Sequence, residues 1–200
     1  MTITATMTTQ NLEREHTDPR GRIGMFGLIA AETAIFTIFV VAYLFYLGKS
    51  LTGPTPKEVL KAPIFFTICL LFSSLTIYAA VNRLRQGRAA SFAAYWLATI
   101  GLGGAFIYGT ATEWHRLIYV HGLTIRTNLF GTTYYSLVGL HGFHVIVGLI
   151  FLLVVMAFTF VGGIKPRHAE RLDVLSLYWH FVDVVWVVVF SVVYVIGRSA

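Results

Sequence analysis

Five apolar stretches, residues 23–48, 63–82, 91–114, 130–161 and 173–197, dominate this chain of 200 residues. Each is long enough to cross about 30 Å of hydrocarbon at 1.5 Å of helical rise per residue. Lipid offers no water to the backbone, so a spanning segment of this kind satisfies its N–H and C=O groups within one α-helix. The sequence therefore predicts an all-α fold, an integral membrane bundle of five transmembrane helices. Charged residues make up 12% of the chain and hydrophobic ones 56%, whereas a soluble domain is about a quarter charged. Apolar runs this long cannot be buried in a soluble core of this size.

The segments between the spans carry breakers and charge. Gly53-Pro54-Thr55-Pro56 with Lys49, Lys57 and Lys61 fills the first, Arg83, Arg85, Gln86, Gly87 and Arg88 make a tight second turn, and Gly162-Gly163 and Pro166 follow the fourth span. Residues 1–22 read as a polar tail and 23–200 as the membrane domain, with no internal repeat and no cleavable signal peptide. Arg14, Arg20, Arg22, Arg83, Arg85, Arg88, Lys165, Arg167 and Arg171 fall on one side of the membrane, nine against the six of Lys49, Lys57, Lys61, Arg116, Arg126 and Arg198. The excess of positive charge inside places the N-terminus in the cytoplasm and the C-terminus in the periplasm. The net charge of +6 sits in these short loops as a topology determinant, which argues against nucleic acid as a partner. Cys69, the one cysteine, lies inside an apolar run and reads as a small apolar residue, without a disulfide or a cysteine-pair metal site.

Against that background the ionisable residues inside the spans stand out, because a charge near the bilayer centre costs roughly 3 kcal/mol on insertion scales. With the topology above, Glu32 lies roughly 13 Å from the inner edge, His180 roughly 10 Å and Asp183 near 15 Å, and His144 on the descending fourth span is also about 10 Å from it. Groups on three helices thus share one layer. His180 and Asp183 share a face at i and i+3, and Trp179 joins Asp183 and Trp186 at i, i+4 and i+7. In "GLHGFHVIVG" His141 and His144 stand at i and i+3, with Gly139, Gly142 and Gly148 allowing close packing. The expectation is a carboxylate–histidine network across helices one, four and five, with His180 and Asp183 facing His144 and Glu32. Gly101, Ala105 and Gly109 give two overlapping small-xxx-small steps on the third span, a face that admits another helix. Glu113, in Glu113-Trp114-His115 at the outer end of that span, reads first as an interfacial group.

Three chemistries fit the intramembrane set. The groups fix helix packing by interhelical hydrogen bonds, or they form a proton relay or lipid-headgroup site, or they ligate haem or metal. Composition alone also admits an independent small membrane transporter or proton channel, or a membrane b-type cytochrome; a transporter usually shows a structural repeat.

The blocks "YWHFVDVVWVVVF" at 178–190, "FGTTYYSLVGLHGFHVIVGL" at 130–149, "FIYGTATEW" at 106–114 and "GLIAAETAIF" at 27–36 together resemble subunit III of the haem-copper terminal oxidases, in order and through the chain. The five-helix form is similar to bacterial subunits III, including that of the cytochrome bo-type quinol oxidases, and "LTGPTPKEVLKAP" also looks like the quinol-oxidase relatives. The mitochondrial-type subunit has two further N-terminal helices. Thr110 departs from the Gln of many relatives, and Asp occupies the position of Glu32 in a quinol-oxidase relative, which leans the reading towards a cytochrome c oxidase.

What the resemblance implies is an accessory subunit III of a proton-pumping aerobic terminal oxidase, a non-catalytic part of an enzyme complex in a bacterial inner membrane. Its partners would be subunit I as the main contact, subunit II and a small subunit IV, with cytochrome c or quinol serving the complex as electron donor. Haems and copper belong to the partner subunits, and this chain holds no cofactor or metal of its own but binds phospholipid. Glu32 matches the family's carbodiimide-reactive carboxylate, His141, His144, Trp179, His180 and Asp183 match motif positions, and Glu113 matches the acidic residue of the third block. One cysteine cannot supply the two thiolates of a dinuclear copper centre, and the membrane histidines are too few for the haems and copper of subunit I, which fits an accessory role.

Overall fold

The structure is a computed structural model that describes residues 19–50 and 53–199; the N-terminal part of the expected 1–22 tail lies outside the described residues. Five long helices make up the bundle: α1 (Pro19–Tyr46), α2 (Ile64–Arg85), α3 (Ala89–Tyr119), α4 (Leu129–Phe160) and α5 (Ala169–Phe190). A short helical turn, Pro56–Val59, lies between α1 and α2, and α5 runs on through a π-helical stretch, Ser191–Ile196. No strand occurs among the described residues. All five long elements are long and apolar enough to cross a membrane.

The helix ends follow local chemistry. Gly87, at φ 74°, closes α2: its N–H donates to Leu84 O at 2.9 Å and the Arg88 N–H to Arg83 O at 3.0 Å, the paired bonds of a glycine-terminated helix. Asn128 opens α4 by accepting the Gly131 N–H on its side-chain oxygen at 2.7 Å. Several helices outrun their apolar stretches, α1 and α3 among them. The first turn of α1 begins at Pro19, whose fixed φ suits a helix start. At its other end α3 continues past residue 114 to Tyr119, where an ion pair between Glu113 and Arg116, one turn apart, supports the emerging turn.

Consecutive helices run antiparallel, which brings Arg22, Arg83, Arg85, Arg88, Lys165, Arg167 and Arg171 to one end, here termed the basic end. There Asp173 at the start of α5 binds Arg22 of α1 through Oδ2 and Arg85 of α2 through Oδ1, each at 3.0 Å. Helices α2 and α3 form a tight hairpin, and α5 packs against α1, α2 and α4. Half of the spanning stretch of α5 is buried, against 28% for α2, α3 and α4 and 11% for α1.

Since lipid tails are as apolar as leucine, close packing and interhelical hydrogen bonds hold such a bundle together. The tightest point is Trp179, 1% exposed. Its indole lies between two glycines: a Cβ on Gly103 of α3 would come within 2.9 Å of Trp179 Cη2, and one on Gly148 of α4 within 2.8 Å of Cζ3. Its N–H donates to Ser73 Oγ of α2 at 2.8 Å, so one side chain joins four helices. The expected small-residue face of α3 is used differently. Of its two glycines, Gly109 sits against a neighbouring helix, under Phe66, while a Cβ on Gly101 would meet nothing within 4 Å. Spacing marks a face open to close approach; here the bulky rings of Phe66 and Trp179 decide that Gly109 and Gly103 are the glycines covered.

Adding one methyl at the indole should therefore matter where the same change elsewhere does not. Gly148→Ala is expected to destabilise the bundle by about 1–3 kcal/mol through overpacking, read as a lower midpoint in thermal unfolding of the detergent-solubilised chain. Gly101→Ala should leave that midpoint unchanged or raise it slightly, since alanine is the better helix former.

Candidate functional site

The polar groups of the anomalous fifth span point to α2. Trp186 Nε1–H donates to Thr67 Oγ1 at 3.1 Å, two turns along α5 from the Trp179–Ser73 bond. Between them Ser74 Oγ donates to Asp183 Oδ2 and lies 2.9 Å from His180 Nδ1. A hydroxyl has one proton to give, so with that proton on the carboxylate the His180 Nδ1–H is the donor to Ser74. His180 Nε2 then accepts from Ser176 Oγ at 3.2 Å. The result is a hydrogen-bonded chain, Ser176 to His180 to Ser74 to Asp183, that ends at Asp183 Oδ1, which is buried without a partner within the chain.

A second polar contact joins α1 to α4. His144 Nδ1 donates to Leu140 O, one turn back, at 2.8 Å, which aims Nε2 at Glu32 Oε2, 3.1 Å away. With Nδ1 carrying its own hydrogen, this contact holds one further proton, shared between carboxylate and imidazole. Tyr178 of α5 donates its hydroxyl to His144 O at 3.1 Å.

These two sites replace the single expected network. Glu32 and His144 do meet, but His180 and Asp183 face Ser74 and not that pair. The reason is helical: at 100° per residue, Tyr178 and His180 point about 200° apart, so the α5 face that reaches α4 through Tyr178 cannot be the one that carries His180. The hydroxyls of Thr67, Ser73, Ser74 and Ser176 were missed. "FSSLT" inside the second span was the available signal, weak because membrane-helix hydroxyls commonly bond their own i−4 carbonyl, as Thr33 and Thr37 do here.

His141 joins neither site. It is fully buried, stacked on Trp186 at 4.9 Å between centroids and edge-on to Phe106 at 5.7 Å, with neither nitrogen hydrogen-bonded within the chain. Both nitrogens of His144 are engaged, by Leu140 and Glu32, so His141 and His144 do not present the two free imidazole nitrogens that a bis-histidine haem needs. Among the described residues no group of three or more His, Cys, Asp or Glu side chains is placed to hold a metal ion. At the far end Glu113 pairs with Arg116, whose guanidinium also donates to Val59 O at 3.1 Å, fastening the Pro56–Val59 turn to α3.

Beside the Glu32–His144 pair a cleft of about 590 Å³ opens between α1 on one side and α4 and α5 on the other. Met25, Leu28, Phe151 and Val155 give it apolar walls, Glu32, His144 and Tyr178 its polar patch, and Arg171 stands at its basic-end rim.

Removing Ser74 tests the α2–α5 seam. Ser74→Ala leaves His180 Nδ1 and both Asp183 oxygens without partners, and should lower stability by about 1–3 kcal/mol, measured as a drop in the thermal midpoint. Ser191→Ala, which removes a hydroxyl bonded only to the Val187 carbonyl of its own helix, should not move it.

The sequence matches the family described as cytochrome c oxidase subunit III over residues 8–198. It is 34% identical over 177 residues to cytochrome c oxidase subunit 3 of Alkalihalophilus pseudofirmus, covering 88% of this chain and 86% of the relative. Identity is 32% over 190 residues to cytochrome bo(3) ubiquinol oxidase subunit 3 of Pseudomonas aeruginosa, covering 92% and 90%. Quinol oxidase subunit 3 of Bacillus subtilis is 28% identical over 193 residues, 94% of each chain.

Proposed function

The chain belongs to the cytochrome c oxidase subunit III family, and from that membership we propose that it is the accessory, non-catalytic subunit of a proton-pumping terminal oxidase that reduces oxygen to water with electrons from cytochrome c. The match across residues 8–198 is the observation that carries this reading. Subunit I, with the haems and copper, is the main partner, and subunit II and a small subunit IV complete the complex. Membership in this family removes the independent-transporter and b-type cytochrome readings.

The basic end faces the cytoplasm of a bacterial inner membrane under the positive-inside rule, with residues 1–22 as the cytoplasmic tail and 23–200 as the membrane domain. In that orientation Glu32, His144, His180 and Asp183 lie in the cytoplasmic half, the side from which protons enter. The shared proton of the Glu32–His144 contact supports a role near proton uptake. The apolar cleft beside it, with Arg171 at the headgroup level, supports phospholipid binding. The Ser74–His180–Asp183 seam and the Trp179 wedge support the structural part of the role, holding a rigid face to subunit I. His141 and Glu113 belong to that structural part as well.

The relative from Pseudomonas aeruginosa, matched over 92% of this chain, supports the same role in a quinol oxidase as the second reading. Mild-detergent purification with identification of the co-purifying chains separates the two: a partner with a dinuclear copper site selects cytochrome c, an oxidase without one selects quinol, and the absence of any oxidase partner refutes the assignment. In the purified complex Glu32→Ala is expected to leave the initial rate of oxygen consumption near that of the unmodified enzyme while reducing the number of turnovers before inactivation or the rate of proton uptake. Loss of haem-copper chemistry in a normally assembled Glu32→Ala complex would contradict an accessory role.

A further inference from the structure

Helix α1 is held to the bundle unevenly along its length. Its far half is rooted: Phe36 and Tyr43 are 5% and 1% exposed, Phe36 lies against the His144 ring at 5.1 Å and Tyr43 sits edge-on to Phe130 at 6.5 Å. The half towards the basic end is not. Met25 alone of its side chains packs partly buried against the core; Ile23, Phe26 and Leu28 are exposed, and Met25 and Leu28 line the cleft opposite Phe151 and Val155 of α4 and Leu172 of α5. Gly21, Gly24 and Gly27 follow one another at intervals of three, and a Cβ on any of them would meet nothing within 4 Å. No close packing requires these glycines, and together they weaken the helix there, since glycine is a poor helix former.

Two polar contacts stand at the two ends of this unpacked half. Glu32–His144 closes the cleft where the rooted half begins, and Arg22–Asp173 closes it at the basic end. The second is an exposed ion pair, with side chains 59% and 29% accessible; pairs of this kind are weak and screened by salt. Its geometry also makes it separable. Asp173 offers Oδ2 to Arg22 and Oδ1 to Arg85 of α2, so the α5–α2 connection keeps its own contact when Arg22 lets go.

We propose that the half of α1 from Pro19 to Glu32 is a flap over the cleft, rooted by Phe36 and Tyr43, latched to α5 by Arg22 on Asp173, and opening the cleft sideways to the surrounding lipid. The other four helices keep their packing as it moves, because Trp179, the α2–α5 seam and the Trp96 Nε1–Leu152 O bond between α3 and α4 involve no atom of α1. This motion goes beyond the oxidase assignment and does not rest on it.

Distance measurement between nitroxide labels on the full chain in lipid nanodiscs tests the flap. In a Cys69→Ser background, one pair (Phe26→Cys with Phe158→Cys) spans the flap and α4 near the basic end; a second (Leu44→Cys with Leu129→Cys) spans the rooted half. Arg22→Gln is expected to lengthen and broaden the first distribution and leave the second unchanged. Raising the salt to about 1 M, where the screening length falls to about 3 Å, should do the same in the chain that keeps Arg22, so the test stands even where Arg22→Gln fails to fold. A first distribution unmoved by both treatments overturns the proposal, as does equal lengthening of both pairs, which would mean that α1 leaves the bundle as a whole.

Discussion

The bundle depends on the space that two glycines leave for one indole. Helices in lipid gain nothing from moving apolar surface out of water, so association depends on how closely backbones approach and how well side chains fill the gap. Trp179 fills the gap between Gly103 of α3 and Gly148 of α4 from its place on α5, and its N–H ends on Ser73 of α2. With the indole lodged there, the rotation of α5 about its own axis is set. Tyr178 must then point at α4, His180 and Asp183 at α2, and Trp186, two turns from Trp179, at Thr67. The polar arrangement is a consequence of that packing.

The same rotation explains why α1 stands apart. Four helices share Trp179 directly, whereas α1 meets the group through aromatic contacts in its far half and through two polar contacts, Glu32–His144 and Arg22–Asp173. The cleft borders the half of α1 that carries its glycines, where Met25 and Leu28 line it, and Phe36 and Tyr43 lie in the half that packs. A carboxylate facing an imidazole at the edge of such a space is in contact with the protein on one side and with whatever occupies the cleft on the other, and this combination distinguishes Glu32 from the enclosed Asp183.

Much of this was legible in the sequence. Lipid removes every alternative to the helix for long apolar runs, so the five spans followed from length and apolarity, and depth counting placed Glu32 and His144, which meet, in one layer with His180 and Asp183, which do not join them. The partners of His180 and Asp183 were not legible, because Ser73, Ser74 and Thr67 are small hydroxyl residues that hydropathy treats as neutral and that are able to satisfy themselves on their own helix. The role of Asp173 was hidden for another reason. Loop charges enter a topology count by sign and side, and the count does not say that Arg22 and Arg85 converge on one carboxylate. Glycine spacing on α3 marked one face, that of Gly101, Ala105 and Gly109; that Gly103 and Gly109 are the glycines covered was decided by the rings of Trp179 on α5 and Phe66 on α2.

The α2–α5 seam then raises the question of what its hydrogen bonds contribute. Interhelical bonds in a membrane protein average about 0.6 kcal/mol, so the four here give about 2.4 kcal/mol, while one aspartate at the helix centre costs roughly 3 kcal/mol to insert. The seam as a source of stability roughly breaks even. Its effect on alternatives is larger. Sliding α5 by one turn against α2 would leave two indole N–H groups, an imidazole and a carboxylate opposite Leu70 and Ile77, and each unpaired buried group costs about 1–3 kcal/mol. An all-apolar α5 would lose little by such a slide. The polar residues in "SLYWHFVDVVWVVVF" therefore act on register: they make one alignment of α5 much better than its neighbours, and that alignment is the one that seats Trp179 between its glycines.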